Sequence, residues 1–350
     1  MKEQNGNNRA SVFGIDIGKN VFHVVGVDAG GQPVQKARFR RETLLQFFEH
    51  AAPALIGMES CPGSQWLARK LMALGHQVRI IPAQFVKPYV KSNKNDIIDA
   101  EAIAEALTRP TMRFVAVRST EQVDLQALHR MRSQLVSSRT RLINQMRAFC
   151  LEYGIAMRQG AGAFKLDIRR VLSDEGNDLT TTMRRLLRDL VGDLEHLEKR
   201  IKAVTDEIDA VAAKDDAARR LISIPGIGTL GATALLSAIG DAGRFAKARD
   251  LAAWIGLVPR QHSTGGRSNL LGISKRGNNY LRRLIISGAR SCYAHLDRER
   301  DRLGQWMDGL RTRMHPNKAI VAVAAKIARI AWVIITNPSA LYERRDPRFA

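Results

Sequence analysis

The pattern of apolar and polar positions changes period along this chain. Up to residue 107, short apolar runs separated by turn residues predict strands interleaved with helices. Val12, Phe13 and Ile15 form one run, Val21 to Val27 a second, and Asp28-Ala29-Gly30-Gly31 is turn chemistry. A β-hairpin that continues into a third strand over 33–38 follows from this. A helix is expected over 42–51, a buried strand within 54–63 with Glu59 near its C-terminal end, and a helix over 64–74 stopped by Gly75. A strand over 78–81 and a helix opening near Asp96 complete the segment. Three strands followed by alternation suggest a mixed sheet covered by helices, hence an α/β domain.

Beyond residue 115 the period is helical. Leu128, Leu135, Leu142 and Phe149 recur every seven residues, with Arg130, Arg132, Arg139, Arg141 and Arg147 among them. Leu187, Leu190, Leu194, Leu197, Ile201, Val204, Ile208 and Val211 alternate steps of three and four, the spacing of a coiled coil. A hairpin within one chain and a pairing between chains both satisfy this pattern. Two short helices are expected to flank Pro225-Gly226-Ile227-Gly228. There Gly226 and Gly228 either let backbone N–H groups approach a DNA phosphate, as in a helix-hairpin-helix, or simply pack a corner.

The C-terminal part, 292–350, reads as helical. Its run 319–336 is the longest apolar stretch, but Lys326 and Arg329 interrupt it. Two charges in mid-span are costly in a bilayer, so a buried helix is expected and no membrane partner. The division implied is a disordered tail 1–10, an α/β domain 11–115, a helical region 116–215, a further mainly helical domain 216–340 and a tail 341–350.

Charge narrows the partner. The 350 residues hold 55 Lys and Arg against 34 Asp and Glu, a formal net charge of +21. Such an excess, interleaved with apolar residues, implies folded faces that meet a polyanion. Cys61, Cys150 and Cys292 are far apart, which fits a reducing cytoplasm and no disulfide framework. The N-terminus lacks the apolar core of a secretion signal.

The candidate chemistry is acidic. Asp16 lies inside an apolar run between Ile15 and Ile17, where a lone carboxylate is expensive unless hydrogen-bonded, paired or bound to metal. Glu59 ends the fourth strand. Asp96 and Asp99 share one face of a helix start. Four acids converging at one sheet edge would be tolerable around a hard cation such as Mg²⁺. Two such ions would stabilise both oxygens of a phosphodiester exchange. The basic segment 87–94 just upstream reads as a loop, either solvated or positioning a nucleic-acid strand. A second polar segment, Gln261-His262-Ser263-Thr264-Gly265-Gly266-Arg267-Ser268-Asn269, reads as a loop among Arg260, Arg267, Lys275, Arg276, Arg282 and Arg283. A hydroxyl there is an ordinary turn residue or a nucleophile toward phosphate.

Taken in order, GIDIGKN, GMES, NKNDIIDAEAIA, IPGIG, AAWIGLVPRQHSTGG and ISKRGNNYLRR resemble one family over about 11–335. It comprises the bacterial insertion-sequence transposases with an N-terminal RuvC-like DEDD domain and a C-terminal serine transposase domain, also called bridge-RNA-guided recombinases. The resemblance implies a ribonuclease-H-like first domain with Asp16, Glu59, Asp96 and Asp99 as its Mg²⁺ ligands, Mn²⁺ being the alternative ion. It implies a serine that attacks DNA. Ser263 is expected to fill that role, since a primary hydroxyl is less hindered, with Thr264 as runner-up. Gly226, Gly228, Arg260, Arg267, Lys275 and Arg276 are the expected DNA contacts. Implied partners are donor and target duplex DNA, a structured guide RNA and further copies of the chain in a homodimer or homotetramer; the expected location is the bacterial cytoplasm, at the nucleoid. A metal-only nuclease of the junction-resolvase kind and a non-catalytic DNA-bridging protein are the rival expectations.

Overall fold

A computed structural model of the chain describes residues 10–91 and 95–344. The expected tail over 1–9, the end of the basic segment at 92–94 and the last residues 345–350 lie outside the described part. The chain divides into two compact units, Met1–Thr120 and Glu121–Ala350.

In the first unit β1 (Val12–Ile17), β2 (Val21–Val27) and β3 (Pro33–Arg40) form an antiparallel meander. Helix α1 (Arg41–Glu49) leads to β4 (Leu55–Glu59), and α2 (Ser64–Ala73) leads to β5 (Gln77–Ile81). Strand β4 lies parallel to β1, β5 parallel to β4, and the sheet order is β3-β2-β1-β4-β5. A single helical turn α3 (Ala83–Val86) and a 3-10 turn over Lys87–Tyr89 precede α4 (Asp96–Leu107). This is the expected mixed sheet, consistent with a ribonuclease-H-like domain.

Alternation along the strands separates two faces. Phe13, Ile15, Phe22, Val24, Ile56, Met58 and Ile80 pack with Leu44 and Phe48 of α1 and Leu67, Ala68 and Leu71 of α2. The opposite face carries Val25 and Val27, which pack with Ala100 and Ala104 of α4. Two glycines in register, Gly14 and Gly57, let α4 sit close on that face. A Cβ on Gly14 would collide with the carbonyl of Ala100, and one on Gly57 would lie 2.8 Å from Leu107 Cδ2. At Gly14, where the backbone of α4 is the obstacle, only a side chain of one hydrogen permits this approach. It fixes where the first turn of α4 ends up.

The second unit is almost wholly helical. Helix α5 (Thr120–Leu151) begins at the unit boundary; α6 (Ala161–Ser173) and α7 (Thr181–Lys214) follow. Leu125 and Leu135 of α5 cluster with Ile201, Val204 and Ile208 of α7. Ile143, Met146 and Cys150 cluster with Leu187 and Leu194, and with Phe164 and Ile168 of α6. The start of one long helix thus meets the end of the other, an antiparallel pairing within one chain. Of the α5 positions read from sequence only Leu135 is buried, Leu128, Leu142 and Phe149 being half-buried, and in α7 Ala212 is buried in place of the exposed Val211.

Next come α8 (Asp216–Ile222), α9 (Thr229–Ile239), α10 (Ala248–Ile255), strands β6 (Pro259–Thr264) and β7 (Arg267–Ile273), α11 (Asn279–His295), α12 (Arg302–Arg311) and α13 (Pro316–Thr336). The last helix is long and apolar enough to span a membrane. Its Ala319, Ile320, Val323, Ala324, Ile327, Ala328, Ala331 and Ile334 instead lie in the core of this unit. The three cysteines are free thiols.

Candidate metal centre

Pairing of the strands places the acids. Asp16 stands opposite His23 across the β1–β2 hairpin. Ile15 pairs with Met58, so the next step along parallel β1 and β4 brings Asp16 beside Glu59. These three side chains share the sheet face that α4 covers, because they continue the alternation of Gly14, Val25 and Gly57. Helix α4 starts over this edge. Asn95 caps it, its side chain accepting from Ile97 N at 3.0 Å. Asp96 and Asp99 stand in the first turn, where the partial positive charge of the helix N-terminus suits carboxylates.

The closest grouping is Asp16, His23 and Asp96, each offering one ligating atom, all within 4.8 Å of one another. His23 Nδ1 lies 3.5 Å from Asp96 Oδ2. That nitrogen is buried and makes no hydrogen bond. Glu59 joins through its charge: burial raises its pKa, and the neighbouring Asp16 and Asp99 raise it further. Cys61, just beyond, is pushed up by burial and by the Glu59 and Asp16 charges. The four expected acids therefore gather at a single sheet edge. A ring nitrogen aimed at carboxylates, with no hydrogen bond to occupy it, is the donor set a divalent cation would complete.

Ser263 and Thr264 lie in the second unit, in an element read from sequence as a loop. It is a two-stranded hairpin: Thr264 pairs with Arg267 and Ser263 with Ser268. Gly265 and Gly266, at φ 54° and 77°, form the two-residue turn, whose positive φ values match the right-handed twist of the strands. The polar residues hid the strands because the hairpin buries no face; β6 is exposed along its whole length. Gln261 Nε2 donates to Ser263 Oγ at 2.7 Å.

The base of the hairpin is firmer. Ser274 N donates to Val258 O at 2.8 Å, and Lys275 N to Gly256 O at 3.2 Å. Arg282, 7% exposed, donates to the carbonyls of Ile255 and Arg276. Lys275 takes a positive φ of 54°, rare for a side-chain-bearing residue. Arg260, Arg267, Lys275 and Arg276 are all exposed. At the expected glycine corner, a Cβ on Gly226 would lie 2.6 Å from the carbonyl oxygen of Gly288 in α11. Its bareness therefore serves internal packing. Gly228, which precedes α9, has open space where a Cβ would stand.

Residues 218–304 match the family described as Transposase IS116/IS110/IS902 family. Residues 13–155 match the DEDD domain of IS110-type elements, described as Transposase. The transposase for insertion sequence element IS1328 of Yersinia enterocolitica is 45% identical over 327 residues, 93% of this chain and 97% of the relative. The chain belongs to the IS110 family of insertion-sequence transposases. A probable family 20 transposase of Pseudomonas aeruginosa is 44% identical, covering 93% of this chain and 97% of its own length. The transposase for insertion sequence element IS1111A of Coxiella burnetii is 41% identical, covering 93% and 90%.

For this IS110-family transposase, sequence reading missed His23. The signal was present: in the alternation of β2, His23 takes the same face as Val25 and Val27, and that face meets Asp16. Seeing it required the hairpin register, which the turn at Gly18–Val21 sets.

Proposed function

We propose that this transposase cuts and rejoins DNA through a serine–DNA phosphoester, using the acidic edge of its first unit as a divalent metal centre. The observation that carries this is the meeting of Asp16, His23 and Asp96 ligating atoms within 4.8 Å, with Glu59 and Asp99 adding their charge. Asp16, Glu59, Asp96 and Asp99 would hold the ion, Mg²⁺ or Mn²⁺. When bound, such an ion neutralises charge on a scissile phosphate. Ser263 Oγ forms the new bond to phosphorus and gives up its proton. The bond to one DNA oxygen breaks, and that oxygen leaves as a hydroxyl. A hydroxyl of the exchanging strand later displaces serine, and Oγ regains a proton.

The exposed Arg260, Arg267, Lys275 and Arg276 would neutralise phosphates near the hairpin. Such contacts position DNA without reading its sequence. Following the family resemblance, a structured RNA would select donor and target, several copies of the chain would assemble on them, and the work would be done at the nucleoid. The net charge of +21 suits so much polyanion.

The test is trapping on DNA that carries the ends of the element, with its transcript and Mn²⁺. Wild-type protein should give a denaturation-resistant protein–DNA species. Asp16→Asn and Ser263→Ala should abolish it while leaving DNA retention intact. Adducts that persist in Ser263→Ala and vanish in Thr264→Ala would move the nucleophile by one residue. Cleavage without any adduct would leave a metal-dependent hydrolase, a reading in keeping with Ser263 Oγ accepting from the Gln261 amide.

A further inference from the structure

We infer that His23 is a nitrogen ligand of the metal centre, so that the shell is four carboxylates and one imidazole and prefers a transition-metal ion to Mg²⁺. This rests on the metal-centre reading above and adds a donor and an ion class to it.

Three observations converge. First, β-pairing sets His23 directly opposite Asp16, on the sheet face that carries the acids. The ring is placed there by register, as firmly as Asp16 itself. Second, the spacing suits a shared ion. Two donors each about 2.1 Å from one ion lie about 3 Å apart when adjacent and about 4.2 Å apart when opposite. His23 Nδ1 and Asp96 Oδ2 are 3.5 Å apart, and the whole group of three falls within 4.8 Å. Third, Nδ1 is buried and makes no hydrogen bond, its nearest carboxylate oxygen, Asp96 Oδ2, standing 3.5 Å away. A buried ring nitrogen without a hydrogen bond is costly, and a bound cation would satisfy it.

The consequence is selectivity. An all-carboxylate shell suits Mg²⁺, which prefers oxygen and holds its waters. An imidazole in the shell adds little for Mg²⁺ and more for Mn²⁺ and Co²⁺, following the usual order of affinities for nitrogen donors.

The test uses the full-length protein loaded with Mn²⁺ and read by pulsed electron paramagnetic resonance. A directly bound imidazole gives a ¹⁴N coupling to the Mn²⁺ electron spin. Wild type should show that coupling. His23→Asp replaces the nitrogen with oxygen; it should still bind Mn²⁺, lose the coupling, and lower the Mn²⁺-to-Mg²⁺ affinity ratio roughly tenfold. Wild-type Mn²⁺ without nitrogen coupling, or coupling that survives in His23→Asp, overturns the inference and leaves an all-oxygen metal centre. The wild-type spectrum decides even if the variant does not fold. Asp16→Asn should bind no Mn²⁺; a wild-type chain that also binds none overturns the metal centre itself and the inference with it.

Discussion

The acidic edge and the serine hairpin are supported in opposite ways. The acids stand on central strands and on a helix pressed to the sheet at Gly14 and Gly57, with buried Val25, Val27, Ala100 and Ala104 behind them. The hairpin stands in solvent, with Leu270 64% exposed and Leu271 44% exposed. Rigid elements hold ligands to within a fraction of an ångström, as a metal site requires. An exposed two-stranded hairpin opens at low cost and can adjust its aim. The first arrangement is complete within its own unit. The second lies exposed in solvent, as the proposed attack on a DNA strand would require.

The largest effect should come from the contact that sets the acids. Gly14→Val should cost about 3 kcal/mol or more, because a backbone carbonyl of α4 blocks the new side chain. Gly57→Ala should cost about 1 kcal/mol, since Leu107 can yield. Denaturant unfolding followed by hydrogen exchange in 11–107 measures both. A Gly14→Val protein as stable as wild type would show that α4 does not need its close seat.

The same contact explains what could be read in advance. The apolar runs of β1, β2 and β4 and most of the α7 positions announce themselves, because burial on one face leaves a period, whereas the seven-residue repeat in α5 pointed one position away from the buried Ile143 and Cys150. Asp16 stood out because it broke such a run. His23 did not, since a single polar residue in β2 acquires meaning only once Asp16 lies opposite it. The β6–β7 hairpin left no apolar period, and only Gly265-Gly266 between paired positions could have marked it. At Gly226 the sequence allowed a phosphate cradle or a packed corner, and it could not show Gly288 beside it. In each case the decisive partner is distant in the chain or the face is unburied.

One titrating group in each unit should also respond to acid in the opposite direction to the other. His129 of α5 is 3% exposed, with Nε2 3.0 Å from Thr233 Oγ1 and Nδ1 3.0 Å from Tyr280 Oη. Thr233 gives its proton to Thr229 O, so its oxygen accepts from Nε2–H, while Nδ1 accepts from the tyrosine. The ring is thereby held neutral. Burial, and then the charge of Arg132, lower its pKa to about 4. Between 6.5 and 4 the unfolded chain takes a proton that the folded chain refuses, so the second unit loses stability as pH falls. His129→Ala should cost about 2 kcal/mol at neutral pH and flatten that dependence. Exchange rates in 121–344 at pH 7 and pH 5 check it; an unchanged pH slope would place the acid sensitivity elsewhere.

Glu59 shows the reverse slope with a smaller effect. Its folded pKa lies above the model-peptide value of 4.5, through burial first and then the Asp16 and Asp99 charges. Above 4.5 the folded chain keeps a proton longer than the unfolded one, so metal-free stability falls as pH rises through that window. Glu59→Gln should therefore stabilise the metal-free protein near pH 7 and have no effect near pH 4. The gain should be roughly a few tenths of a kcal/mol, because water screens a carboxylate that is half exposed. With Mn²⁺ the sign should reverse, as the variant loses a ligand. Thermal melts with and without Mn²⁺ measure this, and a variant less stable in both would mean Glu59 is held by contacts other than the acid cluster.

The smallest stability effect should fall on the hairpin, where it says most about function. Gly266→Val forces a β-branched residue to positive φ, which that side chain resists. The turn should open and exchange of the β6 and β7 amides should rise. Global unfolding should stay within about 0.5 kcal/mol of wild type, because the hairpin buries no core. Covalent DNA trapping should nevertheless fall by more than tenfold, since Ser263 loses its place opposite Ser268. If trapping survives while the hairpin is demonstrably open, the strands do not aim the hydroxyl, and the hairpin would be a DNA-contacting arm with the nucleophile supplied elsewhere.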